Sequence, residues 1–291
     1  MIVILVVEEI VVMVKKVNSC DGIYKDSLDV RFTKVCDNHC DFCIERSGLS
    51  AKKQDIDKMI LSTIQSNKKE ILILGGEPLI NLENIFKYIN GIRDHVNKIY
   101  ITTSLPHSII DNYELFSQIA DKIDGLNVSL QHYDWKINNE VLHASNNFNR
   151  IELLERLCKD YSSIIRVSIN LVQGYIDTKY QLDKFLSTME NIGVKHVKIN
   201  ELQHEPDLYV GFKYLYDLNL PSAYLNGCQT DIQLPYNMRI TLKRACFCVQ
   251  PENILGTDEE YEKLKTRVRP DLGYTVLYED GFLSKHWITN R

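Results

Sequence analysis

SLDVRFTKVCDNHCDFC, residues 27–43, starts as a strand and finishes as a set of metal ligands. Its first part, SLDVRFTK (27–34), has the character of a short β-strand. Its second part holds Cys36, Cys40 and Cys43 in a CxxxCxxC arrangement. Four ligands normally close a tetrahedral zinc or iron–sulfur site, so this trio is one short. One reading is half a zinc site completed by His39 or a distant cysteine, although structural zinc sites favour paired CxxC units or CxxC followed by HxxxH. The other is a [4Fe–4S] cluster held by three thiolates, which leaves one iron with an open coordination position. An open position is what a catalytic metal requires.

Outward from this stretch, apolar strands alternate with segments of helical period. Further strands are expected at EILILGG (70–76), NKIYITTS (97–104), GLNVSLQ (125–131), IIRVSINLV (164–172) and HVKINEL (196–202). SAKKQDIDKMILSTIQSN and KYQLDKFLSTMENIGV read as helices between them, the second ending at Gly193, a suitable residue just past a helix C-terminus. Consecutive β–α units argue an α/β fold with a parallel sheet and helices outside. Right-handed crossovers would curl that sheet into a full or partial barrel.

The strands carry a second message through their period of two. Tyr100, Thr102 and Ser104 share one face, as do Asn127, Ser129 and Gln131. Arg166, Ser168 and Asn170 share another, and so do His196, Lys198 and Asn200. An ordinary eight-stranded barrel fills its interior with branched apolar side chains. Polar faces on four strands point instead to a wet, ligand-lined interior, the alternative being an open sheet with one solvated face.

Composition bounds the rest. The chain has 291 residues, 44% of them hydrophobic and 25% charged, with a net charge of −5. Such an acidic balance gives no electrostatic footprint for duplex nucleic acid. MIVILVVEEIVVMVKKV at the N-terminus is broken by Glu8 and Glu9, and lacks the features of a signal peptide or a membrane span. It reads as a β hairpin or two short strands, and the expected compartment is the cytoplasm, with no membrane partner. Eight cysteines in a reducing compartment argue for metal binding or catalysis over disulfides.

The cysteines follow the end of the first barrel strand, where parallel barrels place their active-site loops. The second strand runs into LGGEP, residues 74–78, whose glycines let backbone approach a ligand and whose Glu77 offers a carboxylate. With these residues the sequence resembles the radical S-adenosylmethionine (radical SAM) superfamily. The family's CxxxCxΦC motif is matched by Cys36, Cys40, Phe42 and Cys43, and its GGE motif by Gly75, Gly76 and Glu77. The resemblance implies a partial (β/α)6 barrel over residues 25–205, preceded by a β extension (1–24) and followed by a hairpin-containing cap (206–291). It implies that S-adenosylmethionine (SAM) itself completes the open iron, with the Gly75–Gly76 backbone and Glu77 receiving its ammonium. Phe42 would shield the cluster, and Thr102, Ser104, Ser129 and Asn170 would hold the ribose and carboxylate. The implied reaction is reductive cleavage of SAM, fed by a reductant such as flavodoxin or ferredoxin, to a radical that abstracts hydrogen from a substrate.

In the tail, Cys228 precedes a hairpin-like run around Pro235-Tyr236-Asn237, and Cys246 and Cys248 follow it. This resembles the SPASM and Twitch caps that hold an auxiliary cluster, although no cysteine follows Cys248. A second [4Fe–4S] cluster on these three residues is one expectation; three ordinary thiols are the other. Cys20 and Cys158 read as structural. The segment GYTVLYEDGFLSKHWI reads as a hairpin turning at Asp280-Gly281, capping the barrel mouth or extending the tail's sheet, with His286 and Trp287 packing. Lys198 and Arg166 are candidates for a phosphate or carboxylate, and His132 for a place over the barrel mouth. The leading substrate is a small molecule, nucleotide or sugar derived. A peptide or protein side chain is the alternative, and a non-enzymatic Fe–S or zinc protein a third.

Overall fold

The computed structural model describes residues 3–7, 10–14, 26–43, 53–202, 206–212, 215, 229–243 and 275–285. Cys20, Cys228, Cys246, Cys248, His286 and Trp287 lie outside the described residues, and with them the expected auxiliary cluster. Near the N-terminus, β1 (Val3–Val7) and β2 (Ile10–Val14) pair antiparallel, Val7 opposite Ile10, as a hairpin requires.

The six barrel strands follow: β3 (Ser27–Thr33), β4 (Glu70–Gly75), β5 (Lys98–Thr103), β6 (Gly125–Ser129), β7 (Ile165–Leu171) and β8 (His196–Glu201). They lie side by side in chain order, every neighbouring pair parallel. The connecting helices are α1 (Ile56–Gln65), α2 (Leu82–Ile92), α3 (Ser108–Asp111), α4 (Tyr113–Ala120), α5 (Trp135–Val141), α6 (Arg150–Tyr161) and α7 (Lys179–Asn191). Asp55, Asn81, Asn112, Asp134, Asn149 and Thr178 cap six of them, each side chain accepting a first-turn N–H. α7 ends as its sequence suggests. Gly193 stands at φ +92°, its N–H bonding Glu190 O at 3.0 Å while Val194 N–H bonds Met189 O at 3.0 Å.

Sequential order with one crossover hand puts the helices on a single face of the sheet. That face is the core. Val30, Ile73, Ile101, Val128, Ile169 and Ile199 are buried there with Ile89, Phe116, Leu154 and Phe185 from the helices. Cys158 is buried on α6 as a packing residue. The other face is the polar one expected from the alternation: in β7, buried Val167, Ile169 and Leu171 alternate with half-buried Arg166, Ser168 and Asn170. The result is a mixed α/β fold with a mostly parallel sheet.

Four tail strands lengthen this sheet: β9 (Gln229–Ile232), β10 (Arg239–Lys243), β11 (Val276–Leu277) and β12 (Leu283–Ser284). The order is β12-β11-β3-β4-β5-β6-β7-β8-β10-β9, with β10 parallel to β8 and β11 parallel to β3. The last hairpin turns at Asp280-Gly281 with Gly281 at φ +84°. It differs from expectation in its partner, for it joins β3 at the edge opposite β9 and β10. The cause is Glu279, whose carboxylate receives Arg31 Nε at 3.0 Å and Nη2 at 3.2 Å. The Arg31 guanidinium also lies 4.2 Å from the Tyr278 ring centroid. Among the described residues, no helix is long and apolar enough to cross a membrane.

Candidate cluster and cofactor site

The cysteine loop leaves β3 at an irregularity in the β3–β4 register between Arg31 and Thr33. It then lies beside the end of β4. Gly76 N–H donates to Thr33 O at 2.6 Å and Glu77 N–H to Val35 O at 2.8 Å. A Cβ on Gly76 would stand 2.8 Å from the carbonyl carbons of both Lys34 and Val35, and Gly75 has φ +124°. Both glycines are needed because backbone meets backbone here. The close approach they permit is to the strand that feeds the cysteine loop.

Glu77 is 1% exposed and its carboxylate is satisfied within the protein. Oε1 accepts from Leu79 N–H at 3.0 Å and Thr103 Oγ1 at 2.8 Å. Oε2 accepts from Ser104 N–H and Ser104 Oγ, each at 2.7 Å. Burial pushes its carboxyl above the ordinary range, and these four donors pull it back. Glu77 therefore pins the end of β5 to the end of β4.

The other side of the loop is held by a residue that sequence reasoning missed. Arg150, first residue of α6 and fully buried, reaches three segments at once. Nε donates to Ser104 O at 3.1 Å, Nη1 to Asn146 O at 3.4 Å and Nη2 to Asn38 Oδ1 at 3.4 Å, with Asp37 Oδ2 at 3.7 Å. Asn38 Nδ2 in turn donates to Ser104 Oγ at 2.7 Å. The loop also docks through His39 N–H to Leu142 O at 2.9 Å and Ser145 N–H to Asp37 O at 2.8 Å. A signal existed. A cation in the first turn of a helix opposes the helix dipole, so an Arg after the N-cap Asn149 needs a tertiary reason.

Cys36 and Cys40 are half-buried and Cys43 is exposed. Burial is the main cause that pushes the Cys36 and Cys40 thiols up to about 12; Cys43 adds to both, and Cys36 to Cys40. Bare thiolates are thus disfavoured, and a metal must supply the positive charge that keeps them ionised. Among the described residues, no three His, Cys, Asp or Glu side chains converge tightly enough for a single ion. A [4Fe–4S] cube presents a different iron to each thiolate, so its ligands stand further apart than those of one ion. Three thiols on one short loop fit the cube.

The four expected SAM contacts separate into two groups. Ser104 is committed to Glu77 and Asn38, and Thr102 Oγ1 accepts from Asn127 Nδ2 at 3.4 Å. Ser129 and Asn170 are half-buried on the polar face, and their side chains make no hydrogen bond among the described residues. Phe42 is half-buried between its two cysteines. His132 is 3% exposed, and its Nδ1 accepts from Asp134 N–H at 2.9 Å. Burial lowers its pKa, and the bond from Asp134 ties it to the start of α5.

The radical SAM superfamily model matches residues 30–189, and the chain belongs to that superfamily. Membership makes it an enzyme and implies a [4Fe–4S] cluster and SAM, which the three thiols and the adjoining polar face suit. No curated protein matches the sequence. Among solved structures, Streptococcus suis SuiB bound to S-adenosylmethionine superposes with a TM-score of 0.59 at 17% identity, covering 90% of this chain and 60% of SuiB. The chain thus spans about three fifths of SuiB's length. Native anSMEcpe with bound AdoMet and Cp18Cys peptide gives 0.52 at 17% identity, covering 88% of this chain and 72% of that one. At these identities the likeness is one of fold.

Proposed function

We propose that this chain cleaves SAM reductively and uses the resulting radical to take hydrogen from a small molecule held against the polar face of the barrel. The observation that carries the reading is the docking of a three-thiol loop beside the Gly75–Gly76–Glu77 turn, at the C-terminal ends of the strands. Cluster and SAM, when bound, supply one-electron cleavage of the C5′–S bond to a 5′-deoxyadenosyl radical. The protein's part is placement. Cys36, Cys40 and Cys43 would hold three irons, and Ser129 and Asn170 have side chains available for the cofactor's polar groups. A flavodoxin or ferredoxin would supply the electron, and the cysteine usage suits a reducing cytoplasm.

Anaerobically reconstituted protein given dithionite should convert SAM to 5′-deoxyadenosine, and Cys40→Ala should abolish this. Turnover by Cys40→Ala at the wild-type rate would overturn the reading. A peptide substrate is the second reading, favoured by the fold likeness to anSMEcpe and to SuiB, whose complex with the precursor peptide SuiA superposes with a TM-score of 0.58. Deuterium transfer into 5′-deoxyadenosine from labelled peptides, and not from labelled metabolites, would select it.

A further inference from the structure

We propose that Arg166 and Lys198 form an oxyanion pocket on the polar barrel face, built for a phosphate or carboxylate group of the substrate. The proposal rests on the radical SAM reading for the identity of that face. The pairing register places the two cations. Asn127 lies opposite Arg166, and one row further up Ser129, Ser168, Lys198 and Thr241 run side by side across four strands. Arg166 precedes Ser168 by two residues, so it shares the face with Lys198 on the adjacent strand.

Neither basic side chain is answered. Arg166 Nε is buried without a hydrogen-bond partner. Among the described residues the side chains of Arg166 and Lys198 make no hydrogen bond or ion pair. The nearest basic groups among the described residues are Lys243 and Arg239 on β10, and the neutral imidazole of His196 on β8 lies beside them. Tyr100 from β5 also faces Arg166. Among the described residues Asp231 on β9 is the nearby carboxylate, and it accepts from Thr241 Oγ1 at 2.7 Å and Arg239 Nε at 3.1 Å. Half-buried basic groups without a partner are costly, which marks the place as one an incoming anion completes.

Depth adds to the argument. Arg166 lies four residues before Asn170 on β7, or roughly 13 Å further than Asn170 from the C-terminal strand ends, where the cysteine loop leaves β3. A substrate gripped there would present its other end to the cofactor. Burial first, then Lys243 and Arg166, holds Lys198 down to about 6. The empty pocket therefore has a neutral Lys198 at pH 7.5, and an oxyanion restores its proton. Binding takes up that proton, so affinity falls as pH rises above about 6. His196, held to about 4 and bonded to Thr241 Oγ1 at 2.9 Å, stays neutral throughout.

The test is calorimetric titration of the reconstituted full chain at constant ionic strength, with sulfate standing for a phosphate group and acetate for a carboxylate. Tight binding of sulfate assigns a phosphate-bearing substrate, and preference for acetate a carboxylate. Lys198→Met and Arg166→Gln should each weaken the preferred anion by about 10-fold or more. Lys198→Met should also raise the melting temperature of the ligand-free protein at pH 7, because it removes a half-buried amine that has no partner. Failure of both anions to bind, binding unchanged in both variants, or destabilisation by Lys198→Met would each overturn the pocket. The titration needs no reductant. If it is silent while wild-type protein forms 5′-deoxyadenosine, the pocket alone is lost; if 5′-deoxyadenosine fails to form, the radical reading is lost.

Discussion

Arg150 shows how one side chain organises the site without offering it any chemistry. Its guanidinium grips the Ser104 carbonyl, Asn38 and Asp37, so the end of β5 and the cysteine loop share one rigid fork. Removing it leaves the Asp37 carboxylate, 8% exposed, without the cation beside it. Arg150→Leu should lower unfolding stability by about 3–5 kcal/mol, the cost typical of breaking a buried charge network. It should also reduce the iron bound on reconstitution. Arg150→Lys should not recover iron loading, because a lysine ammonium has no planar fork to reach three segments. Full iron content and an unchanged denaturation midpoint in Arg150→Leu would refute this role. Arg150 and Arg166 also mark the boundary of what sequence shows. Arg166 falls on a period-two face and was visible; Arg150 acts through contacts 46 and 112 residues away, which no local pattern encodes.

Among elements, the strands were the most legible. The six expected runs each contain the observed strand, with ends differing by at most two residues, because alternation of apolar and polar residues is forced by the sheet itself. The GGE turn was legible as a motif but not in its local purpose. Glycines before a ligand and glycines before another backbone look the same in one dimension. In this structure they let the end of β4 lie on Lys34 and Val35, which fixes where the cysteine loop starts. Gly76→Ala is therefore expected to act on the loop. Its Cβ would meet the Val35 carbonyl, which as backbone has little room to yield. The cost should be about 1–3 kcal/mol of stability, typical of overpacking. Iron loading should fall with it, since the loop must shift. Measured iron equal to wild type, with the denaturation midpoint unmoved, would show that the turn does not position the loop.

At the scale of the molecule, both edges of the barrel sheet are finished by the tail: β10 and β9 at β8, and β11 and β12 at β3. A parallel strand edge exposes unpaired backbone, and a two-residue strand such as β12 makes a poor template for further pairing. The sequence showed both hairpins but not which strand each would join. The choice at β3 depends on Arg31 meeting Glu279, 248 residues later, with both side chains at 1% exposure or less. Asp55 N–H adds a bond to Glu279 O at 2.8 Å, so α1, β3 and the last hairpin meet at one residue. Glu279→Ala removes the carboxylate from Arg31's fork and should cost about 3–5 kcal/mol by chemical denaturation. The double variant Arg31→Met with Glu279→Leu removes both charges and fills the space with apolar atoms. It should recover most of that loss, because a buried ion pair replaced by packed hydrophobic residues is commonly close to neutral. If single and double variants are equally unstable, the ion pair is not what seats the hairpin. Backbone pairing of Val276 and Leu277 with Asp29 and Val30 would then carry the edge alone.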